Sequence, residues 1–506
     1  MIELSSATEI DAPAEAVWRT LTDFEHFSEW NPFIREAHGT TDVGGTVTVR
    51  VQPSFGGPRL PLHATILFRD DNHELRWKGS LLAPWLGAGE HTFTIEPIGA
   101  HRVRFVQREV FTGALPRLLA PILARETQRG FDAMNLALKA RAESADRARS
   151  WMLLEPRSGP GVRVESVGSA LPSRRLTTAD LMASTRHRTR IDLERLTGIR
   201  ERRVCGPGED SRSLAIAAAR DCLSRSRHAA EDLDVVISAS ITRYVDGTTH
   251  RMEPPLSLSI KEAIGAHRAT SFDLANACAG MLTGVFLLDA MIRKGEIQRG
   301  MVVSGEAITG LGRNAARSIR SIFSLQLASL TLGDGGAAVI VERAPDGKPN
   351  VLLAGFTTLA EHSRLCVGLP APHAPGARMF TRARKIHEVA MSDGPALIEE
   401  VLASRGLRLG DIDWLIPHQT SVRAIRSGER ALAARTGDHP RHVVVTVDEY
   451  GNTASTTLFI ALDKYLREGR LGAGDKVLLL SVASGLEVGV VVLAIDELQE
   501  AYGHAN

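Results

Sequence analysis

One of the four cysteines, Cys278, stands where a thiol could act as a nucleophile. The preceding residues 271–274 have the pattern of a short strand, and residues 284–292 have that of an apolar helix. Cys278 is therefore expected at a strand-to-helix turn, where unpaired backbone N–H groups favour negative charge. We predict a stabilised, nucleophilic thiolate, although a lone cysteine is more often a small buried side chain.

Two polar residues downstream favour the nucleophile over the small buried side chain. His418 follows the strand-like residues 414–417 at once, and Asn452 lies in a Gly-Asn turn after the strand-like residues 442–447. Either residue alone would be taken for a capping, core or turn residue. Together, three strand ends offer a cysteine, a histidine and an asparagine, which form a nucleophile–His–Asn set.

The composition excludes several classes of partner. Lys plus Arg total 60 and Asp plus Glu total 59, so we expect neither nucleic acid nor a membrane surface as a partner. No apolar stretch approaches the roughly 20 residues that span a bilayer, and the first residues lack the pattern of a signal peptide. The cysteines have no metal-type spacing, which predicts no metal site and a reducing, cytoplasmic location.

At 506 residues the chain is long enough for more than one domain. Residues 144–161 are typical of a linker, because an alanine-rich, charged helix pattern ends there in proline and glycine. Residues 151–154 within it are apolar enough to dock on a domain. Beyond the linker, strands alternate with helices, as in layered α/β domains. The pattern of residues 232–237 recurs at 411–416, a faint internal repeat.

Six motifs beyond the linker together resemble one enzyme family. Residues 162–497 are similar, in order, to the ketoacyl-synthase III branch of the thiolase-like condensing enzymes. The motifs are Leu-Thr-Gly-Ile-Arg-Glu-Arg-Arg at 196–203, Ala-Cys-Ala-Gly at 277–280, Leu-Gly-Asp-Gly-Gly-Ala-Ala at 332–338, Pro-His-Gln at 417–419, Tyr-Gly-Asn-Thr at 450–453 and Ser-Val-Ala-Ser-Gly-Leu-Glu-Val-Gly at 481–489.

The resemblance implies an α/β thiolase-like fold of two duplicated halves in five αβαβα layers. Residues 162–345 would carry the nucleophile, and residues 346–500 would carry the histidine and the asparagine. It also implies a homodimer, with acyl-CoA or acyl-ACP as substrates and no bound cofactor.

The same resemblance implies a role for each site residue. In that family the cysteine takes an acyl group from a thioester, so Cys278 is the expected nucleophile. His418 and Asn452 would stabilise the carbanion or enolate formed on the second substrate, with His418 neutral. The backbone N–H groups of Cys278 and Ser484 would form the oxyanion hole.

Two details concern the acyl donor. Family members that use coenzyme A often carry a tryptophan and an arginine where this chain has Asp192 and Leu196, so a carrier-protein donor stays open beside coenzyme A. Several nearby arginines would meet an acidic carrier protein or a phosphate, unless they are ordinary solvated charges: Arg186, Arg188, Arg190 and Arg200.

A glutamate-proline motif indicates an alternative reaction. Residues 250–255, His-Arg-Met-Glu-Pro-Pro, are similar to a segment of the olefin-pathway condensing enzymes, which join two acyl chains head to head. There the glutamate reaches across the dimer as a base, so Glu253 is a candidate base here. The equal alternative is a carboxylate at the start of a helix. Residues 308–330 are expected to form a wall of the acyl tunnel or of the dimer.

Residues 1–143 have the pattern of a separate module. Stretches of period-two alternation follow one another, and a long helix from about residue 118 to 142 closes the unit. This order resembles the START-like, polyketide-cyclase-type (SRPBCC) helix-grip fold, an α+β fold, on Trp-Asn-Pro at 30–32, Leu-Arg-Trp at 75–77 and Gly-Phe-Asp-Ala-Met-Asn at 130–135. The resemblance implies an apolar acyl or polyketide ligand.

Three polar residues of this module, His91, Arg104 and Glu109, lie on or beside strands and are expected to face solvent, so no catalytic set is predicted there.

The chain is therefore expected to be an acyltransferase similar to 3-oxoacyl-ACP synthase III, which forms an acyl-cysteine and carries out a Claisen condensation in fatty acid, lipid or polyketide biosynthesis. Two alternatives stay within that class: head-to-head joining of two acyl thioesters without decarboxylation, and acyl transfer to oxygen or nitrogen. An alternative from another class is a lipid-binding protein without catalytic activity.

Overall fold

The computed structural model describes residues 2–52, 60–80, 87–99, 102–113, 116, 120–148, 151–153, 160–187, 191–245, 249–345, 348–496 and 498–503. The chain divides into two compact units, Met1–Ser150 and Trp151–Asn506. Each unit buries a hydrophobic core of its own. Within the described ranges, no helix has the length and apolar character needed to cross a membrane.

The N-terminal unit is an antiparallel sheet covered by a long helix. Its strands are β1 (Ile2–Ile10), β2 (Ile34–Gly39), β3 (Thr46–Val51), β4 (Leu60–Asp70), β5 (Glu74–Ser80), β6 (Ala88–Gly99) and β7 (Arg102–Thr112). Its helices are α1 (Ala14–Thr22), α2 (Phe27–Trp30) and α3 (Ala120–Ala148). The described strands are ordered β1-β7-β6-β5-β4-β3-β2. Residue 118, where the sequence predicts that the long helix begins, lies outside the described residues.

Period-two alternation gives this sheet one buried face. Phe93 and Phe105 lie on neighbouring strands, are fully buried, and stack with ring centroids 6.2 Å apart. Met134 and Leu138, spaced four residues apart on α3, complete the same core. The long helix thus lies in the grip of the sheet, as the helix-grip expectation requires.

Two of the three polar residues expected to face solvent point inward instead. His91 on β6 is 4% exposed, and its register partner Glu109 on β7 is largely buried. Arg104 is exposed, as expected. The reason is the phase of the alternation: positions 91 and 109 fall on the same face as the buried phenylalanines, so the pleat turns these polar side chains inward.

The C-terminal unit contains the remaining described strands and helices. The strands are β8 (Met152–Leu153), β9 (Val162–Ala170), β10 (Arg175–Thr177), β11 (Glu201–Arg203), β12 (Val235–Ser238), β13 (Tyr244–Val245), β14 (Thr249–His250), β15 (Thr270–Asp273), β16 (Arg299–Glu306), β17 (Gly335–Arg343), β18 (Val351–Thr358), β19 (Cys366–Pro370), β20 (Ala377–Thr381), β21 (Trp414–Pro417), β22 (His442–Val443), β23 (Lys476–Ala483) and β24 (Glu487–Ala494). The helices are α4 (Thr178–Ala183), α5 (Leu193–Thr197), α6 (Ser211–Leu223), α7 (Leu256–Ile264), α8 (Gly280–Arg293), α9 (Thr309–Ser318), α10 (Ala383–Ser392), α11 (Gly394–Ala403), α12 (Val422–Thr436), α13 (Val447–Tyr450) and α14 (Thr457–Arg467).

Two sheets of this unit repeat one strand order. The first is β15-β12-β16-β17-β9, and the second is β22-β21-β23-β24-β18 with β8 added at its edge. Counted along the chain within each half, both orders read 3-2-4-5-1. The strands β12 and β21, which carry the repeated sequence pattern, occupy the same place in the two sheets. The duplication suggested by that short pattern is confirmed.

Helices separate and cover the two sheets. Between the sheets lie α8, which contacts β16, β17 and β18, and α14, which contacts β9, β17 and β21. The outer face of the first sheet is covered by α6 and α7, and that of the second by α11 and α12. The layers therefore alternate as αβαβα, as predicted.

The apolar segment after the predicted linker helix docks on the second sheet. Met152 and Leu153 pair with Phe356 and Gly355 of β18, and Trp151 contacts the core of the second half. Docking buries apolar side chains that a free linker would leave in water.

Candidate active site

Cys278 lies in a tight turn between β15 and α8. A single turn of 3₁₀-helix spans Ala277–Ala279, and α8 begins at the next residue. Ala277 has φ +43°, a conformation that costs a residue with a Cβ about 1 kcal/mol. The predicted strand-to-helix turn is present, with a strained residue directly before Cys278.

His418 lies directly after β21. Its backbone N–H donates to the Leu480 carbonyl at 2.7 Å, so the residue remains attached to the sheet edge. The neighbouring Gln419 is fully buried and braces this turn. The Gln419 amide donates to the Val444 carbonyl at 3.1 Å, and its oxygen accepts from Thr446 N–H at 2.8 Å. Gln419 thereby ties the histidine turn to the segment that leads to Asn452.

Asn452 is held by its backbone and by its side-chain oxygen. Its N–H donates to the Thr331 carbonyl at 2.8 Å, and its carbonyl accepts from Gly333 N–H at 2.9 Å. A Cβ at Gly333 would lie 1.9 Å from the Tyr450 oxygen, so only glycine permits this approach. The side-chain oxygen accepts from Ala454 N–H at 2.9 Å. The side-chain NH₂ is left to donate elsewhere.

Ser484 begins the three-residue turn between β23 and β24. Gly485 and Leu486 in that turn have φ +91° and +54°. The Ser484 N–H is directed at the Cys278 sulfur, as is the N–H of Cys278 itself. The two backbone donors predicted for an oxyanion hole therefore both act on the Cys278 sulfur.

Strained backbone is concentrated at these turns. In the described chain, residues other than glycine with positive φ are Asn72, Ala277, Ala454 and Leu486. The last three lie within two residues of Cys278, Asn452 and Ser484. Such strain persists only where surrounding structure imposes it, and it is typical of functional sites. The amino-acid sequence did not indicate this backbone strain.

Burial governs the acidity of Cys278. Loss of hydration raises the pKa of its thiol to about 12, and the charge of Glu306 acts in the same direction. The N–H groups of Ser484 and Cys278 lower the pKa, but they do not outweigh burial. The expectation of a stabilised thiolate is therefore contradicted: the free enzyme holds a neutral thiol, because a buried anion loses more hydration than two donors return.

Glu306 is a residue that the sequence gave no reason to select. It is fully buried beneath the site and accepts hydrogen bonds from Ile241 N–H at 2.8 Å, Thr242 Oγ1 at 2.7 Å and Ser455 Oγ at 2.5 Å. Burial raises its pKa, and these donors oppose the rise. It joins the end of β16 to the turn that carries Asn452.

His418 is neutral for the same reason that Cys278 is. It is 8% exposed, and burial lowers its pKa to about 4. Within the described part of the chain, its Nδ1 has no hydrogen-bond partner. The neutral histidine that the predicted role requires is present.

One cavity brings the predicted residues together. It has a volume of about 1480 Å³ and is lined by Cys278, His418, Asn452 and Ser484. Its remaining walls are mostly apolar and include part of the 308–330 segment: Ile308, Leu311, Ile322, Phe323, Leu325 and Leu327. Small-molecule sites commonly measure about 300–1,000 Å³, so this space suits a long, flexible chain.

Glu253 is not among the residues that line the cavity. It is exposed, beside Met252, which is 78% exposed. This placement does not support a base that acts within its own chain, and it leaves the two other interpretations: a carboxylate near the start of α7, or a base that acts on a second copy.

The positive charges at the cavity differ from those predicted. Arg200 pairs with Asp448 at 2.8 Å, and Arg188 and Arg190 lie outside the described residues. Leu196, where coenzyme A users often have arginine, is an apolar wall residue. The basic residues that do line the cavity are Arg382, Arg384, Lys385 and Arg423. The run Arg-Ala-Arg-Lys at 382–385 was a signal for them in the sequence.

The fold and the site define a thiolase-like condensing enzyme. Solved structures agree: the chain matches a variant of Xanthomonas campestris OleA with a TM-score of 0.58 at 23% identity, over 66% of this chain and 98% of that one. It also matches the priming β-ketosynthase of a polyketide biosynthetic pathway with a TM-score of 0.57 at 26% identity, over 68% and 98%.

Sequence relatives narrow the class to one family. β-Ketoacyl-[acyl-carrier-protein] synthase III of Symbiobacterium thermophilum is 32% identical over 348 residues, 66% of this chain and 97% of the relative. That of Acidiphilium cryptum is 32% identical over 65% and 98%. The family models for 3-oxoacyl-[acyl-carrier-protein] synthase III and for its C-terminal part match residues 272–358 and 402–495. The chain belongs to the β-ketoacyl-[acyl-carrier-protein] synthase III family and is an acyltransferase.

The N-terminal unit has a separate relationship. Residues 1–143 match the family model described as polyketide cyclase, dehydrase and lipid transport. The predicted helix-grip fold of this unit is confirmed.

The acidity of His418 predicts how stability changes with pH. Its pKa in the folded enzyme is about 4 against an ordinary 6.5, so between these values the unfolded chain binds more protons. The folded state therefore loses stability as pH falls from 6.5 to 4. His418→Gln removes this loss, and we expect it to gain up to about 3 kcal/mol relative to the natural protein across that range.

Thermal unfolding of both proteins at several pH values measures this gain, with His439→Gln at an exposed position as the control variant. If the difference in unfolding free energy between the natural protein and His418→Gln stays constant with pH, folding does not change the pKa of His418.

Proposed function

We propose that Cys278 is the nucleophile of a two-step Claisen condensation and that His418 and Asn452 serve the second step. The observation that carries this proposal is the single cavity lined by all three residues and by Ser484. A lipid-binding protein would need none of these groups in one place.

In the first step the Cys278 sulfur attacks the carbonyl of an acyl thioester. A carbon–sulfur bond forms, the donor carbon–sulfur bond breaks, and the thiol proton leaves through the neutral His418 to the departing sulfur. The N–H groups of Cys278 and Ser484 stabilise the tetrahedral oxyanion. Because the thiol is neutral at rest, its proton has to move as the new bond forms.

In the second step a malonyl thioester loses carbon dioxide. The electrons of the broken carbon–carbon bond form an enolate, whose oxygen accepts hydrogen bonds from His418 and from the Asn452 amide. The enolate carbon then attacks the acyl-cysteine carbonyl and forms a carbon–carbon bond. The carbon–sulfur bond to Cys278 breaks, and the departing thiolate takes a proton from water to restore the thiol. Since the Asn452 oxygen is occupied by Ala454 N–H, its NH₂ group is oriented to donate.

The proposal includes two partners of the catalytic unit. A carrier-protein or coenzyme A donor would place its phosphate near the basic run at 382–385. A second copy of the chain would cover exposed apolar residues at the cavity, of which Phe323 is 86% exposed. The N-terminal unit, residues 1–143, would hold an apolar acyl or polyketide chain.

Head-to-head condensation is the second candidate, and the position of Glu253 favours it. Glu253 is exposed on its own chain, and across a dimer it could reach the cavity of the partner and remove an α-proton from the acyl chain. The large apolar cavity would accommodate two chains. No carbon dioxide is released by this route.

Cys278→Ala is expected to abolish acylation, because the oxyanion donors then face no nucleophile. Intact mass measured after mixing with a panel of acyl-CoA and acyl-carrier thioesters would show one added acyl group on the natural protein and none on the variant. Cys205→Ala, which lies outside the cavity lining, is the matched control and should acylate normally. Acylation that persists in Cys278→Ala would refute the assignment of the nucleophile.

Asn452→Ala is expected to separate the two steps. The acyl adduct on Cys278 should persist, while carbon dioxide release from a malonyl thioester should fall by ~100-fold, the usual effect of losing one donor to an oxyanion. The adduct, measured on the same sample, is the control for folding. An equal loss of both steps would place Asn452 outside the proposed role.

A mixture of two variants tests the second candidate together with dimerisation. If Glu253 acts on the partner, Glu253→Gln and Cys278→Ala should each fail to join two acyl thioesters, and a mixture should regain part of the activity through mixed dimers. Glu262→Gln, at an exposed position on α7, is the control. Light scattering reports the mass of the particle. A monomer, or a mixture that stays inactive, would rule out action across a dimer.

A further inference from the structure

The N-terminal unit contains a cluster of titratable groups that the condensation does not use. His91 and Glu109 face each other on β6 and β7, with Nδ1 of the imidazole 3.8 Å from Oε2 of the carboxyl group. The imidazole lies among aromatic rings: it stacks on Phe93 at 4.1 Å and contacts Trp77 and Phe131. The pair is therefore shielded from water on most sides.

A chain of hydrogen bonds determines which nitrogen of His91 carries the proton. The Gln107 amide donates to Asn135 Oδ1 at 2.6 Å, so the Gln107 oxygen is the partner of His91 Nε2 at 3.2 Å. Nε2 must then be the donor, which leaves the lone pair on Nδ1. That lone pair is on the side of the ring that faces Glu109.

The same chain continues to the surface of the unit. Asn135 donates to Ser6 Oγ at 3.0 Å, and Ser6 donates to the Asp132 carboxylate at 2.6 Å. Every donor thus points away from His91 towards a negative charge. A chain polarised in this direction stabilises a proton arriving on the imidazole.

Across the described ranges, Glu109 lacks the hydrogen bonds that a buried carboxyl group with a structural role ordinarily accepts. No side chain in the described residues donates a hydrogen bond to it, whereas a structural carboxyl group is ordinarily satisfied. Gly89 leaves space for it, because a Cβ there would lie 2.5 Å from Glu109 Oε1. The Glu109 side chain keeps 16% of its surface accessible, against 5% for His91, so it stands at the accessible side of the pair.

We infer that His91 and Glu109 form a second catalytic site, a base and an acid that enolise a β-ketoacyl thioester. His91 Nδ1 takes the α-proton: the carbon–hydrogen bond breaks, and its electrons form the carbon–carbon double bond of the enol. Glu109 gives its proton to the keto oxygen. The step leaves an imidazolium and a carboxylate, and its reversal restores both groups. The choice of substrate rests on the proposed function, since a β-ketoacyl chain is what the condensation produces.

Burial also sets the resting protonation states of the two groups. Burial lowers the pKa of His91 to about 3 and raises that of Glu109 to about 8. At neutral pH the histidine is therefore unprotonated and the glutamate keeps its proton, whereas a glutamate with the ordinary pKa of 4.5 would be ionised.

Deuterium exchange at the α-carbon tests the inference. The full chain carrying Cys278→Ala is mixed with a 3-oxoacyl N-acetylcysteamine thioester in weakly acidic D₂O, where exchange without enzyme is slow, and incorporation is followed by mass spectrometry. This background cannot condense, so the result does not depend on the first site. We expect exchange above the buffer rate and a loss of ~100-fold in His91→Gln and in Glu109→Gln.

His91→Gln and Glu109→Gln both introduce a side chain of similar size. In His91→Gln the new amide can still donate a hydrogen bond to the Gln107 oxygen. The matched controls are His63→Gln on β4 and Glu90→Gln, which neighbours His91 on the outward face; both should exchange as the parent does. Exchange no faster than buffer in the parent, or exchange in His91→Gln and Glu109→Gln as fast as in the parent, would overturn the inference. Acylation of Cys278 in the His91→Gln variant, measured separately, shows whether the condensing site still functions.

Discussion

Loss of hydration is the constraint on which the chemistry of this protein depends. At the condensing site, burial keeps both Cys278 and His418 neutral, with pKa values of about 12 and about 4. A thiolate and an imidazolium are therefore not stored in the resting enzyme. In the proposed mechanism, charge appears only while a bond is forming, and the N–H groups of Cys278 and Ser484 then stabilise the new oxyanion.

The duplicated fold explains how the donors reach one place. The two inner helices, α8 and α14, follow equivalent strands of the two sheets, and the short 3₁₀ turns before them are in contact. Ala277 and Ala454 occupy the same strained conformation in these turns. The first half supplies the thiol one residue after its strained alanine, and the second half supplies the asparagine two residues before its own. Glu306 joins the two halves by accepting from Thr242 and Ser455.

Much of the fold and of the site could be predicted because local patterns encode them. Alternation of period two, helix patterns and turn residues indicated a helix-grip unit followed by a layered α/β unit, and strand ends placed Cys278, His418 and Asn452. The acidity of Cys278 could not be predicted in this way. Helix N-termini favour an anion, but the depth of burial, which only packing decides, reverses the outcome. The inward direction of His91 and Glu109 was missed because polarity was weighed above the phase of the alternation.

The sequence by itself determined the family, through six motifs in order, and also the order of the elements, because hydrophobic periodicity and turn residues act between neighbours in the chain. Tertiary structure alone decided which distant groups meet. The two N–H groups at the sulfur are 206 positions apart, as the numbers of Cys278 and Ser484 show. The brace from Gln419 and the buried Glu306 likewise join segments that no local pattern relates. Distance along the chain carries no information about such contacts, and burial is a property of the assembled layers rather than of any one residue.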